Sequence, residues 1–219
     1  MPAKDVLTTE QVHANLTALP QWRYGQGALR TALKCESSAS ALALFATIGA
    51  LAQEANHHPD IDWRYNTLFI TLTSHDAGSK VTARDAALAR SISAEATSAG
   101  ADAKPELLHT VEIAIDTDDV DAISESWRLA LGYKRQEDGS ITDPFGRGPG
   151  LWFQKTTTPN ANRLHLDITV PFSESASILD GLEATGASLE TGAAPRFVVA
   201  TDAQGNRFCI CTEEGREVE

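Results

Sequence analysis

Apolar and polar positions alternate in two different periods along the first hundred residues, and the switches between them outline seven elements. Thr8 and Gln11 have the spacing of a capping box, and Leu16 and Leu19 extend an apolar helical face until Pro20 ends it. Residues 22–24 and 28–34 flank the turn Gly25-Gln26-Gly27, with Leu29 and Leu33 alternating with polar partners as in a half-buried hairpin. Residues 38–56 return to the helical period. Leu42, Phe45, Gly49 and Ala52 fall on one stripe there, with Leu44, Ile48 and Leu51 beside it. Pro59 forbids continuation, so His57 and His58 fall at the C-terminal end of that helix. Strands are expected over 63–65 and 68–73, joined near Asn66-Thr67, and Thr82-x-x-Asp85 opens a third helix running to about Ser98. The order is α-β-β-α-β-β-α, which predicts an antiparallel sheet with helices on one face.

The pattern then restarts and repeats itself. A strand over 109–116 precedes a helix over 118–131, with Val120, Ile123 and Trp127 inward and Gly132 as its stop. Strands follow near 134–137, 140–142 and 150–155. After the loop at 156–162 the same order recurs, with a strand over 163–170, a helix over 174–185, Gly186, and strands near 189, 197–201 and 207–212. Thr142-Asp143-Pro144-Phe145-Gly146 is echoed by Thr201-Asp202-Ala203-Gln204-Gly205, and Gly132 by Gly186. Two βαβββ units in tandem are predicted. The small, polar segment before Pro105 suggests a first domain over 1–100, a linker over 101–106 and a second domain over 107–219. The fold class expected for the whole chain is α+β.

Composition adds a sign. The net charge is −12, and residues 1–104 hold 9 basic and 10 acidic residues against 9 and 20 in the remainder. Nearly all of the excess charge therefore sits in the second half, which disfavours nucleic acid and anionic membrane surfaces as partners. No run of 18 apolar residues suggests a membrane span, and the N-terminus lacks a basic segment followed by an apolar one. A cytoplasmic location is expected. Cys35, Cys209 and Cys211 give an odd count without a disulfide framework. Cys209 and Cys211 share a strand face, yet no second Cys pair completes a zinc site, so buried thiols are the expectation.

Half of the chain's six histidines fall in residues 54–76, as His57, His58 and His75. A helix C-terminus carries partial negative charge that favours imidazolium, while two adjacent imidazoles resist charging together. That combination suits acid/base work near neutral pH. His75 closes the next strand, where Ser74 and Asp76 are placed to orient it. Read singly, a histidine at a helix end is a cap or surface residue, Asp85 is a capping-box residue, and His13 and His109 are structural. A zinc site from the three histidines is the lesser reading, because adjacent histidines point apart and the i,i+4 or strand i,i+2 spacing is missing.

Together, "NHHP" at 56–59, Tyr65, His75 in "TSHD" and Asp85 resemble the signature of the pterin-4a-carbinolamine dehydratases. The likeness extends back to Trp22 and forward through "TARDAALARSI", covering about residues 5–98. It implies dehydration of 4a-hydroxytetrahydrobiopterin, a small-molecule pterin, to quinonoid dihydropterin without metal or organic cofactor. It also implies catalytic roles for His57, His58 and His75, and a homodimer. Substrate-binding roles are implied for Trp22 in the pocket wall, Pro59 in the loop, Asp76, and Asp85 orienting a histidine or the pterin. One position departs: the family places an acid four residues before the first histidine, where this chain has Gln53. A non-catalytic pterin-binding or protein-interaction module is the alternative that Gln53 keeps open.

The second half resembles the glyoxalase-like, vicinal-oxygen-chelate superfamily over about residues 107–214, with "NRLHLDITV" opening the second unit. In its metal-dependent members the opening strand of each unit offers a ligand and the closing strand often a Glu. His165 occupies one such position, but Thr110 stands at its counterpart with His109 out of phase, and the closing strands offer Gln154, Cys209 and Cys211. A metal-free binding or stabilising module is therefore expected, with His165 and Asp167 on one face. A glyoxalase-like enzyme with the first half as accessory is a further alternative.

Overall fold

The computed structural model describes residues 5–157, 164–184, 186–201 and 207–215. It divides into two units, the first reaching Leu108 and the second spanning His109–Gly215. The loop expected at 156–162 falls mostly outside the described residues, as do Arg163, Thr185 and the 202–205 half of the repeated loop.

In the first unit α1 (Thr9–Thr17) begins at Thr8 with a complete capping box: Gln11 N donates to Thr8 Oγ1 and Thr8 N to Gln11 Oε1. β1 (Arg23–Gly25) and β2 (Ala28–Lys34) pair across Gln26 and Gly27, whose φ values of 50° and 71° are those of a tight hairpin turn. Gly27 is fixed twice over, because a Cβ there would meet Ser79 O at 2.8 Å. α2 (Ser38–Ala55), β3 (Asp60–Arg64), β4 (Thr67–Leu72) and α3 (Ala83–Ser98) complete the expected order. The sheet runs β1-β2-β4-β3 and is antiparallel throughout. The cross-strand pairs Leu29–Leu72, Thr31–Ile70 and Leu33–Leu68 put the apolar positions on the side packed with Leu44, Ile48, Leu88 and Ile92.

Three details depart from the sequence reading. The buried stripe of α2 is Ala41, Leu44, Ile48 and Ala52, while Leu42 and Phe45 are 50% and 38% exposed. The turn after β3 uses Tyr65 at φ 54°, one residue earlier than expected. Residues 101–106 are not simply a connector. Asp102–Ala103 forms β5, an edge strand on β2, and Pro105–Leu107 a short 3-10 turn. Among the described residues α2 is also the one helix long and apolar enough to cross a membrane. Its four core residues give it the burial of a helix lying on a sheet.

The second unit holds one eight-stranded sheet, ordered β11-β12-β13-β10-β6-β9-β8-β7. The first βαβββ unit is β6 (Thr110–Thr117), α4 (Val120–Leu131), β7 (Lys134–Arg135), β8 (Ile141–Thr142) and β9 (Gly150–Lys155). The second is β10 (Leu164–Thr169), α5 (Phe172–Ala184), β11 (Ser188–Glu190), β12 (Phe197–Thr201) and β13 (Arg207–Cys211). β6 and β10 meet antiparallel at the centre, and each pairs in parallel with the closing strand of its own unit. Ile113, Ile115, Leu151 and Phe153 share one face with Tyr133, Ile141 and Ile123 of the core. The alternation puts Glu112, Asp116, Trp152, Gln154, His165, Asp167 and Cys209 on the other. Trp127, expected inward on α4, is 37% exposed.

Candidate active site

The end of α2 fixes the first histidine. Asn56 adopts a left-handed conformation at φ 46°, its N–H bonding Gln53 O and that of His57 bonding Ala52 O. These two bonds form a Schellman-type ending that turns the chain sharply and carries His57 inward. His57 is 7% exposed. Its Nε2 lies 2.7 Å from Asp85 Oδ1, and Asp85 is wholly buried.

The other oxygen of Asp85 is held as firmly. Oδ2 accepts from Thr82 N at 2.7 Å, Ser74 Oγ at 2.8 Å and Thr82 Oγ1 at 3.0 Å. Asp85 is thus the capping-box residue of α3 and the hydrogen-bond partner of His57 at once. With Nε2 directed at the carboxylate, Nδ1 is the ring nitrogen that Asp85 does not engage.

His58 and His75 are exposed, and Pro59 is half-buried. The register Asp60–Thr71 brings the segment following α2 beside the end of β4. His75 Nε2 lies 3.8 Å from Asp60 Oδ2 across that junction. His75 opens a 3-10 turn, His75–Ala77, rather than closing the strand. Neither expected orienter serves it. Ser74 is committed to Asp85 and Thr82, and Asp76 forms a bidentate pair with Arg84 at 3.0 and 3.1 Å. The Arg84 guanidinium holds the Asp76 carboxyl below the usual carboxylate range.

Trp22 is corrected outright. It is 1% exposed within the core and its Nε1 donates to Ser93 Oγ at 2.9 Å, so it braces α3 instead of walling a pocket. Gln53, at the position where an acid was expected, is exposed on α2, as is Glu54.

Residues 5–95 match the family described as pterin 4 alpha carbinolamine dehydratase. A Nocardia farcinica protein provisionally named as such a dehydratase is 39% identical over 88 residues, covering 40% of this chain and 92% of that protein. The chain belongs to the pterin-4a-carbinolamine dehydratase family. A second provisionally named dehydratase, from Mycolicibacterium smegmatis, is 37% identical over 87 residues, covering 40% of this chain and 92% of its own length. A crystal structure described as a transcriptional coactivator/pterin dehydratase from Brucella melitensis is 29% identical with a TM-score of 0.40, covering 42% of this chain and 99% of that one. Residues 112–211 separately match a glyoxalase-like domain.

Sequence reasoning about this dehydratase-family chain pairs Thr82 with Asp85 in a capping box but misses Ser74 as a second holder of that carboxylate. A small hydroxyl carries no signal of its own, and only the fold brings the end of β4 against the first turn of α3. It also missed a cluster in the glyoxalase-like unit. His165, Asp167 and Cys209 lie together there, with Trp152 Nε1 donating to Asp167 Oδ2 at 3.0 Å. Burial, with the Asp167 carboxylate beside it, pushes the Cys209 thiol up to about 12. The Asp167 carboxylate raises His165 above its ordinary value, against the opposing effect of burial.

Proposed function

We propose that the first unit dehydrates a pterin-4a-carbinolamine, 4a-hydroxytetrahydrobiopterin, to quinonoid dihydropterin and water. Eliminating the C4a hydroxyl needs a proton for the departing oxygen and a base for a ring nitrogen proton, and imidazoles suit both tasks. In this reading His57, fixed through Nε2, exchanges protons through Nδ1, while the exposed His58 and His75 share the acid and base work. Pro59 shapes the loop between them. Asp76 lies at the rim in its pair with Arg84, and Asp85 acts on the substrate only through His57. The reaction needs no metal or organic cofactor.

The observation that carries the proposal is the buried His57–Asp85 hydrogen bond at 2.7 Å. A capping carboxylate needs no imidazole partner, and a surface histidine needs no buried acid. Their pairing, with a second and third imidazole at the same sheet end, is an arrangement for a histidine held in one tautomer. A cytoplasmic setting without nucleic-acid or membrane partners belongs to the same proposal. So does a homodimer, supported by the exposed apolar Leu42 and Phe45 on α2.

A second reading, a non-catalytic pterin binder, is favoured by the neutral Gln53. Incubating the full-length chain with freshly generated carbinolamine separates the two. Accelerated formation of quinonoid dihydropterin supports dehydration; stoichiometric pterin binding without acceleration supports the binder.

A further inference from the structure

In the second unit, strand geometry gathers three different donor atoms at one point. His165 and Asp167 are two residues apart on β10 and so share a face. Cys209 of the parallel strand β13 stands directly beside Asp167 in the register. One imidazole nitrogen, one carboxylate oxygen and one thiol sulfur fall within 4.8 Å of one another, the one such group among the described residues.

We infer that His165, Asp167 and Cys209 bind a thiophilic divalent cation of the zinc class, with a fourth position open to water or a ligand oxygen. The donor set is the first argument. Nitrogen and sulfur together select zinc, cobalt and their neighbours over magnesium or calcium, which take oxygen. Distance is the second. His165 Nε2 and Asp167 Oδ1 are 3.3 Å apart, against about 3.4 Å for the nitrogen–oxygen edge of a zinc tetrahedron. All three donors lie within 4.8 Å of one another, so bringing the sulfur to its place requires at most roughly 1.3 Å of closure.

The third argument is an orphaned atom. Asp167 Oδ1 is buried without a well-formed hydrogen bond, its near neighbours being His165 Nε2 at 3.3 Å and the Cys209 thiol. Leaving a carboxylate oxygen so is costly, and a cation removes the cost. Meanwhile Oδ2 is engaged by Trp152 Nε1, whose ring also meets the His165 ring edge-on at 6.0 Å. An outer hydrogen bond that turns one oxygen of a carboxylate toward its neighbours is what a metal ligand requires. Arg207, on the same face, pairs with Glu190 at 3.4 Å.

A metal-free ion pair uses His165 and Asp167 alone, whereas a cation engages the thiol beside them as well. All three donors belong to the second βαβββ unit, whereas the resemblance implies ligands divided between both units. Such a site replaces the metal-free reading of this half, and it is independent of the dehydration proposed for the first unit.

The test uses untagged full-length protein, stripped with a chelator and titrated with Co²⁺. One equivalent is expected, with a thiolate-to-cobalt charge-transfer absorption in the near ultraviolet. Cys209→Ser removes that absorption, and His165→Ala weakens binding by at least about a hundredfold. Cys211→Ser, Cys35→Ser and His75→Ala leave it unchanged. The inference is overturned if folded wild-type protein shows no such absorption. It is equally overturned if Cys209→Ser keeps the absorption, or if His75→Ala abolishes uptake. Circular dichroism of each variant confirms that loss of binding is not loss of fold.

Discussion

Asp85 in the first turn of α3 and His57 just past the end of α2 are joined by a buried hydrogen bond of 2.7 Å. Through its second oxygen the same carboxylate holds Ser74, the residue before His75. One acid therefore ties the end of α2 and the end of β4 to the first turn of α3, linking the segments that carry the three histidines.

Asp85→Asn tests that link. An amide keeps one acceptor oxygen and brings two donors of its own, so it cannot satisfy His57, Ser74 and Thr82 together. A loss of about 1–3 kcal/mol in unfolding free energy is expected from denaturant titration, the cost of stranding buried partners. Dehydration should fall with it. Unchanged stability would mean that the bonds to Asp85 are readily replaced.

Trp22→Phe distinguishes a core residue from a pocket wall. The variant loses the hydrogen bond to Ser93, worth about 1 kcal/mol, while the ring still fills most of the space. Lower stability with an unchanged KM for the carbinolamine is the expected outcome. A raised KM at unchanged stability would return Trp22 to the binding site.

The alternation of periods was enough to read the main helices and strands of both units in order, though not the short edge strand β5, because Leu29 and Leu33, or Ile113 and Ile115, declare their faces by spacing alone. The phase of α2 was not legible. With alanine, leucine and glycine nearly all round the helix, Leu42 and Phe45 look as fit for the core as Leu44 and Ile48, and only the sheet decides. The histidines were legible as a group, and Asp85 as a residue to orient one of them. What Ser74 bonds was not, since its partner lies in an element that local spacing does not bring near. The same holds for Cys209, which reads as half of a thiol pair with Cys211 until strand pairing sets it beside Asp167.

Acid should erase the contribution of Asp76. Its carboxyl is held below the ordinary 3.8 by Arg84, so the pair stabilises the fold above that value. That contribution is lost as pH falls through the lowered one. Asp76→Asn should therefore be less stable than wild type at pH 7, with the gap closing in acid below 3.8. Thermal unfolding across that range reads it. A gap independent of pH would show that Asp76 acts other than by its charge.

Dehydration by His57 is the central claim, and its most direct test is the rate of quinonoid dihydropterin formation from freshly generated 4a-hydroxytetrahydrobiopterin. Wild-type full-length protein should exceed the spontaneous rate. Folded His57→Ala should lose at least about tenfold of that acceleration, as removal of a general acid or base does. A wild-type rate equal to buffer, or a His57→Ala rate equal to wild type, would contradict the account.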